Sequence, residues 1–345
     1  MRKYRVGILG ATGTVGQRFV QLLENHPQFE ITALAASDRS TGKPFAEACA
    51  WKLAGAMPEY VKEITVQPIE PPLDCEIVFS SLPSNVARET EESFARAGYP
   101  VISNSSCYRM DEDVPLLIPE INAEHLGLIT RQQEKRGFGK GFIVTNPNCA
   151  VMSFAPPLAA LERKFGIESV IVTTMQAISG AGYPGVASLD IIDNVLPYIA
   201  GEEPKVETEA QKILGKFADG EIKNADFIVS AQCFRVNVID GHTASVRVNL
   251  KETATLEDVR AAMEDFPTLN LYSSPKRFIE VTDEPSRPQA RLDRDAGKGM
   301  TITVGRLFPD NIFDYRFVTL SHNTVRGAAG SAILNAELLI DKRII

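Results

Sequence analysis

One cysteine of this sequence stands where a thiol could do chemistry. Cys149 lies in Thr145-Asn-Pro-Asn-Cys-Ala150, after the β-prone run Phe142 to Val144 and ahead of Val151-Met-Ser-Phe, apolar residues that read as a helix start before Pro156-Pro157. A thiol at a helix N-terminus meets the positive end of the dipole and unpaired N–H groups, which favour the thiolate a covalent acyl-transfer catalyst needs. A lowered pKa is therefore expected for Cys149. Cys49, Cys75, Cys107 and Cys233 are widely separated and complete neither a disulfide framework nor a Cys-x-x-Cys site. Four dispersed histidines without an acid cluster suggest no catalytic metal.

A second feature is Gly10-Ala-Thr-Gly-Thr-Val-Gly16, spaced G-x-x-G-x-x-G between a strand-like run and a helix-like one. Glycine lets backbone approach a pyrophosphate, and the helix start offers it N–H donors. Gly10, Thr12, Gly13, Thr14, Val15 and Gly16 are the expected cradle. Ser81 and Leu82, in Ser80-Ser-Leu-Pro83, follow another strand end, the usual place for cofactor contacts in an open parallel sheet. The second strand ends Ala35-Ala-Ser-Asp-Arg-Ser40, where Ser37, Arg39 and Ser40 could together hold a 2′-phosphate, so NADP is favoured over NAD despite Asp38. A Tyr-x-x-x-Lys match, Tyr272 to Lys276, is set aside because Pro275 breaks the helix that would align the pair.

These residues need positioning elements. Residues 4–9 read as a strand, 17–25 as a helix and 29–36 as a second strand, with further buried strands at 76–80 and 100–103. The pattern predicts a Rossmann-type, doubly wound parallel sheet over residues 1–149. Strand-like runs at 169–176, 245–250, 301–305 and 315–321 predict an α+β domain with a mixed sheet over 150–323. The small-residue helix from Gly327 onward is expected to return to the first domain, completing it with residues 324–345. The polar tract 201–224 reads as an insertion-like surface element.

At 345 residues the chain has room for about two domains. Its 36 Lys+Arg against 44 Asp+Glu give a net charge of −8, without the basic stripe a nucleic-acid binder needs. No apolar run approaches membrane-spanning length, and residues 1–10 lack a signal-peptide core, so the expected location is the cytoplasm.

Taken together, Gly10 to Gly16, Ser103-Asn-Ser-Ser-Cys-Tyr-Arg109, Asn146-Pro-Asn-Cys149, Gln176 to Gly182, Glu209-Ala-Gln-Lys212, Arg235 to His242 and His322 to Gly327 resemble aspartate-β-semialdehyde dehydrogenases of the archaeal and fungal-like branch. The resemblance runs over essentially the whole chain. It implies NADPH-dependent reduction of L-aspartyl 4-phosphate to L-aspartate 4-semialdehyde through a Cys149 thioester, in lysine, methionine and threonine biosynthesis. It implies His242 as acid/base, Arg235 for the substrate carboxylate, Glu209 for its ammonium, and Arg109 with Lys212 for phosphate. Gln176 would orient the substrate and Asn148 steady the oxyanion, while Ser179, Gly180 and Asn323 would touch the nicotinamide side. His26, His125 and His322 are expected to be mainly structural, with His125 in a polar segment. A homodimer or homotetramer is implied, without nucleic-acid or membrane partners. The alternative is a malonyl-CoA reductase of the same fold, whose substrate needs no anion opposite an ammonium.

Overall fold

The computed structural model describes residues 2–345. Its first sheet is parallel, in the order β2-β1-β3-β4-β5, from β1 (Tyr4–Leu9), β2 (Phe29–Ala35), β3 (Ile77–Ser80), β4 (Pro100–Ser103) and β5 (Phe142–Thr145). All residues of β3, β4 and β5 are buried, which is why these strands read as unbroken apolar runs rather than alternating ones. On one face, α1 (Thr14–Leu23) contributes Phe19, Val20 and Leu23 to a cluster with Val6, Ile8 and Phe79. On the other, α2 (Ser84–Arg96) contributes Ala87, Phe94 and Ala95 beside Val78 and Val101. The strand order reverses between β1 and β3, and the carboxyl ends of both open onto the Gly10–Gly16 loop. After α3 (Leu128–Arg136), β5 leads directly into Asn146 and the thiol.

The second sheet is mixed. Its order is β11-β12-β13-β10-β6-β9, from β6 (Ile167–Gln176), β9 (Ile228–Arg235), β10 (His242–Leu250), β11 (Ile279–Thr282), β12 (Ile302–Pro309) and β13 (Tyr315–Ser321). A separate hairpin pairs β7 (Lys216–Ala218) with β8 (Glu221–Lys223). Three helices pack on the large sheet: α4 (Cys149–Phe165), α5 (Glu203–Ile213) and α6 (Leu256–Glu264). The last helix, α7 (Gly330–Asp341), buries Ala332, Ile333, Ala336 and Leu339 in the same cluster as Val6 and Ile8 of the first sheet.

Tertiary packing overrides local signals at three places. Helix α4 starts where the sequence implies and carries Pro156-Pro157 inside it. Each proline removes a backbone donor at a cost of about 3 kcal/mol in an isolated helix, yet residues 150–161 of this helix are all buried, so packing on every side outweighs the loss. The polar tract 201–224 is not a surface insertion: it folds as α5 and the β7–β8 hairpin, and α5 buries Val206, Glu209, Ala210, Lys212 and Ile213. His125 is fully buried rather than in a polar segment, bonded to Asn122 Nδ2 at 3.0 Å and to the Gly215 carbonyl at 3.0 Å.

Candidate active site

The thiol sits where the chain leaves the first sheet. Asn148 caps α4, its side chain accepting from the Ala150 N–H at 2.7 Å, and Cys149 is the first helical residue. Behind it the turn Val325–Ala329 comes so close that a methyl group on Gly327 would lie 2.7 Å from Cys149 Cβ, so only glycine fits there.

His242, the first residue of β10, brings Nε2 to 3.2 Å from Cys149 Sγ. Its other nitrogen, Nδ1, accepts from the Ala177 backbone N–H at 3.0 Å. A ring nitrogen that accepts carries no proton, so this bond assigns the neutral imidazole proton to Nε2, directed at sulphur. Burial, with Arg235 and then His322 nearby, pulls the His242 pKa down to about 3. Burial, and next the Glu202 carboxylate, pushes the Cys149 thiol up to about 12, against Arg109 and Arg235. The expectation of a lowered thiol pKa therefore does not hold in this closed geometry. The helix N-terminus is present, but withdrawal from water penalises the thiolate more. Both shifts run in the direction that favours the uncharged forms of the pair.

Three cations and two carboxylates surround the pair. Arg235, at the end of β9, is buried, donates from Nη1 to the Ala177 carbonyl at 2.7 Å and has no carboxylate partner among the described residues. Arg109 instead pairs with Glu209 at 3.0 Å and donates to the Asn104 carbonyl at 2.8 Å, while its buried Nε has no partner. Glu209 uses its second oxygen to accept the Asn148 backbone N–H at 2.6 Å. Lys212 departs from the expected pattern: all three ammonium protons go to carbonyls, those of Arg109, Asp111 and Val114, at 2.7–2.8 Å. It clamps the loop that carries Arg109, and burial lowers its pKa to about 8. Glu209 and Lys212 share a helix face as their spacing implies, but form no salt bridge and are both buried, so they are not a solvated surface pair.

Gln176 and Asn148 converge on a residue absent from the sequence-based set, Glu202, which accepts from Gln176 Nε2 at 3.0 Å and from Asn148 Nδ2 at 2.9 Å. Its seven-residue spacing from Glu209, two helical turns, was the available signal. Gly180 also borders the pair: a methyl group there would lie 3.0 Å from His242 Cε1. Asn323 ties this turn to β10, donating to Ser179 Oγ at 2.8 Å and accepting from Gly241 N at 2.8 Å.

The glycine loop forms a cradle. Gly10 adopts a φ of +77°, and a methyl group on Gly16 would fall 2.3 Å from the Gly10 carbonyl. Helix α1 begins at Thr14 without a side-chain cap, which leaves the N–H groups of Thr14, Val15 and Gly16 unclaimed by such a group. Ser81 lies against the loop, its hydroxyl donating to the Leu9 carbonyl at 2.9 Å, with Leu82 buried beside it. Beyond β2, Ser37 and Ser40 close a turn (Ser40 N to Ser37 O, 2.8 Å), and Arg39 has no carboxylate partner among the described residues. Lys43, not anticipated, adds a second cation there, donating to the Arg39 carbonyl at 2.9 Å.

Comparison with known proteins finds relatives along nearly the whole chain. Residues 5–129 match the family model "Semialdehyde dehydrogenase, NAD binding domain" and residues 158–326 match "Semialdehyde dehydrogenase, dimerisation domain". The aspartate-semialdehyde dehydrogenase of Archaeoglobus fulgidus is 54% identical over 99% of this chain and 100% of its own length. That of Aspergillus fumigatus is 49% identical over 99% of both chains. Among solved structures, the Candida albicans aspartate-semialdehyde dehydrogenase with NADP superposes with a TM-score of 0.91 at 43% identity, covering 100% of both chains.

Proposed function

The chain belongs to the aspartate-semialdehyde dehydrogenase family, and we propose that it reduces L-aspartyl 4-phosphate to L-aspartate 4-semialdehyde and phosphate with NADPH, reversibly, in lysine, methionine and threonine biosynthesis. The observation that carries the reading is the Cys149–His242 pair, 3.2 Å apart at the start of a helix, beside a buried Arg235 without a carboxylate partner. The cradle of Gly10, Thr12, Gly13, Thr14, Val15 and Gly16, with Ser81 and Leu82, fits the pyrophosphate, and Ser37, Arg39 and Ser40 fit a 2′-phosphate. Ser179, Gly180 and Asn323 are assigned to the nicotinamide, a reading supported by Gly180 bordering His242 and by the bond from Asn323 to Ser179. When bound, NADPH supplies the hydride.

The chain's own groups do the rest. Arg235 pairs with the substrate α-carboxylate through its unused donors. The substrate ammonium meets Glu209, replacing Arg109 there and turning the Arg109 fork toward the phosphate; Lys212 supports that move by holding the loop. Cys149 sulphur attacks the acyl carbon, the S–C bond forms as the C–O bond to phosphate breaks, and the departing phosphate takes the proton the thiol gives up. Asn148 donates toward the oxygen of the attacked carbonyl. After reduction of the thioester, the C–S bond breaks and the sulphur leaves as thiolate, held by the His242 Nε2–H. For His242 to carry a whole proton as acid or base, the ring must exchange the proton between its nitrogens and give up the bond from Ala177. Two carboxylates, Glu202 and Glu209, suit a substrate bearing an ammonium, and no observation favours malonyl-CoA.

Homo-oligomerisation fits the second domain. Helices α4, α5 and α6 pack on one face of its sheet, whereas the other face presents exposed Ile171 and Ile228, an arrangement suited to a second copy of the chain in a dimer or tetramer. No helix among the described residues is long and apolar enough to cross a membrane. All five cysteines are free, as suits a reducing cytoplasm.

The deciding experiment measures phosphate-dependent reduction of NADP with L-aspartate 4-semialdehyde. Turnover that requires phosphate and vanishes in Cys149→Ser, while cofactor binding persists, is expected. Phosphate-independent turnover, or efficient reduction of malonyl-CoA in its place, would overturn the assignment.

A further inference from the structure

The two site amides, Asn148 and Gln176, come from different elements, the cap of α4 and the end of β6, yet both turn their NH2 groups to one oxygen, Glu202 Oε1. An amide can present either its oxygen or its nitrogen to a neighbour, and the two orientations occupy nearly the same volume. A carboxylate only accepts, so it removes that ambiguity. Gln176 Nε2 gives its other proton to Thr174 Oγ1 at 3.3 Å, which leaves Gln176 Oε1 as an acceptor without a protein partner. Asn148 Oδ1 is used by the Ala150 N–H, which leaves one Nδ2 proton as a donor. Glu202 can do this because it is itself held: it lies at the start of α5, is buried, and its second oxygen is 3.6 Å from Lys205 Nζ.

We propose that Glu202 is a positioning residue for the reaction, locking Gln176 to offer a carbonyl oxygen toward the substrate ammonium and Asn148 to offer an N–H toward the reacting acyl oxygen. The proposal rests on the aspartyl-phosphate reading above, because only a substrate with both an ammonium and an acyl oxygen uses both settings. Glu202 also opposes ionisation of Cys149. The groups facing that thiol are Glu202 and Glu209 from α5 and its start, Arg109 from the loop after β4, Arg235 from the end of β9 and His242 from β10, and Glu202 is the acid whose charge acts against the thiolate. The same side chain therefore holds the amides and, second to burial, disfavours the thiolate.

Replacing Glu202 by glutamine keeps the volume and removes the charge. The Glu202→Gln enzyme is expected to lose about ten- to a hundredfold in kcat, as misorientation of a reacting group does, with a smaller change in KM. Its thiol should nonetheless be alkylated by iodoacetamide at lower pH than wild type, because the opposing charge is gone. A merely structural lesion would slow turnover without moving the alkylation profile in that direction. Glu202→Asp keeps the charge but shortens the reach: slow turnover with a wild-type alkylation profile is expected. If wild type shows phosphate-dependent turnover and Glu202→Gln matches it, or if the alkylation profile of Glu202→Gln stays put or moves to higher pH, Glu202 has no positioning role. A wild type without that turnover would instead overturn the functional reading, while the alkylation comparison would still report on Glu202.

Discussion

Arg326 and Arg235 are both buried, and their surroundings make them opposites. The Arg326 guanidinium, wholly enclosed, forms two hydrogen bonds with Glu120, at 3.0 and 2.7 Å, and lies 4.6 Å from the centre of the Phe278 ring. Its charge is answered by a carboxylate within the protein through both terminal nitrogens, although its Nε has no partner. Arg235 gives one bond to a carbonyl and meets no carboxylate, and burial lowers its pKa. A buried charge that is paired holds structure together, whereas one left with spare donors is costly until an anion arrives, and that cost becomes selectivity for the anion. Arg109 lies between the two, meeting its carboxylate Glu209 through one hydrogen bond and a carbonyl, that of Asn104, through another.

The comparison can be broken at its structural end first. Glu120→Ala leaves the Arg326 charge buried and unpaired and should cost about 3–5 kcal/mol of stability, seen as a large fall in the denaturation midpoint. Arg235→Ala removes a buried charge that has no internal counterion. Its stability should be unchanged or slightly raised, while kcat/KM for L-aspartate 4-semialdehyde falls by an amount equivalent to about 2–5 kcal/mol. A variant pair with the reverse pattern, stable Glu120→Ala and unstable but active Arg235→Ala, would mean the two arginines had been assigned the wrong way round.

A third buried group sharpens the point because its hydrogen-bond partners are all neutral, with only the Arg109 charge acting from further off. Glu91 accepts from Ser80 Oγ at 2.6 Å and Ser103 Oγ at 2.7 Å, and burial raises its pKa to about 7, against these hydroxyl bonds. A carboxyl raised in the folded state binds its proton more tightly there than in the unfolded chain. Its contribution is thus fully present below the usual carboxyl range and is lost as pH rises toward and through 7, by about 3 kcal/mol. Thermal denaturation of wild type and Glu91→Gln from pH 4.5 to 8 should show a steeper loss in wild type; parallel curves would contradict the shift.

The smallest expected effect concerns an exposed cation, Arg39. Arg39→Ala should weaken NADP binding by about 1–3 kcal/mol and NAD binding hardly at all, since it removes one charge-assisted bond to the 2′-phosphate. Titration with each cofactor decides it, and equal losses would remove Arg39 from that role.

Much of this was legible in the chain because it is local. The spacing of Gly10, Gly13 and Gly16 lies between β1 and α1, the apolar runs of the first sheet reflect burial on both faces, and Asn148-Cys149 announces a capped helix. These features depend on residues within a few positions of one another, where periodicity and capping act. The rest was settled by partners distant in sequence. Glu120 and Arg326 are 206 residues apart, and nothing near either one marks it as half of an ion pair. Helix α4 passes through Pro156-Pro157 because the surfaces around it are apolar. The tract 201–224 looks polar because Glu202, Glu209 and Lys212 are counted as charges, whereas in the fold their partners are Asn148, Gln176, Arg109 and three carbonyls. The thiol illustrates the limit most clearly. The chain alone singles out Cys149 as the candidate nucleophile and places it at a helix start, but its protonation depends on how much water the fold excludes and on a carboxylate 53 positions away, quantities that exist only once the tertiary structure has formed.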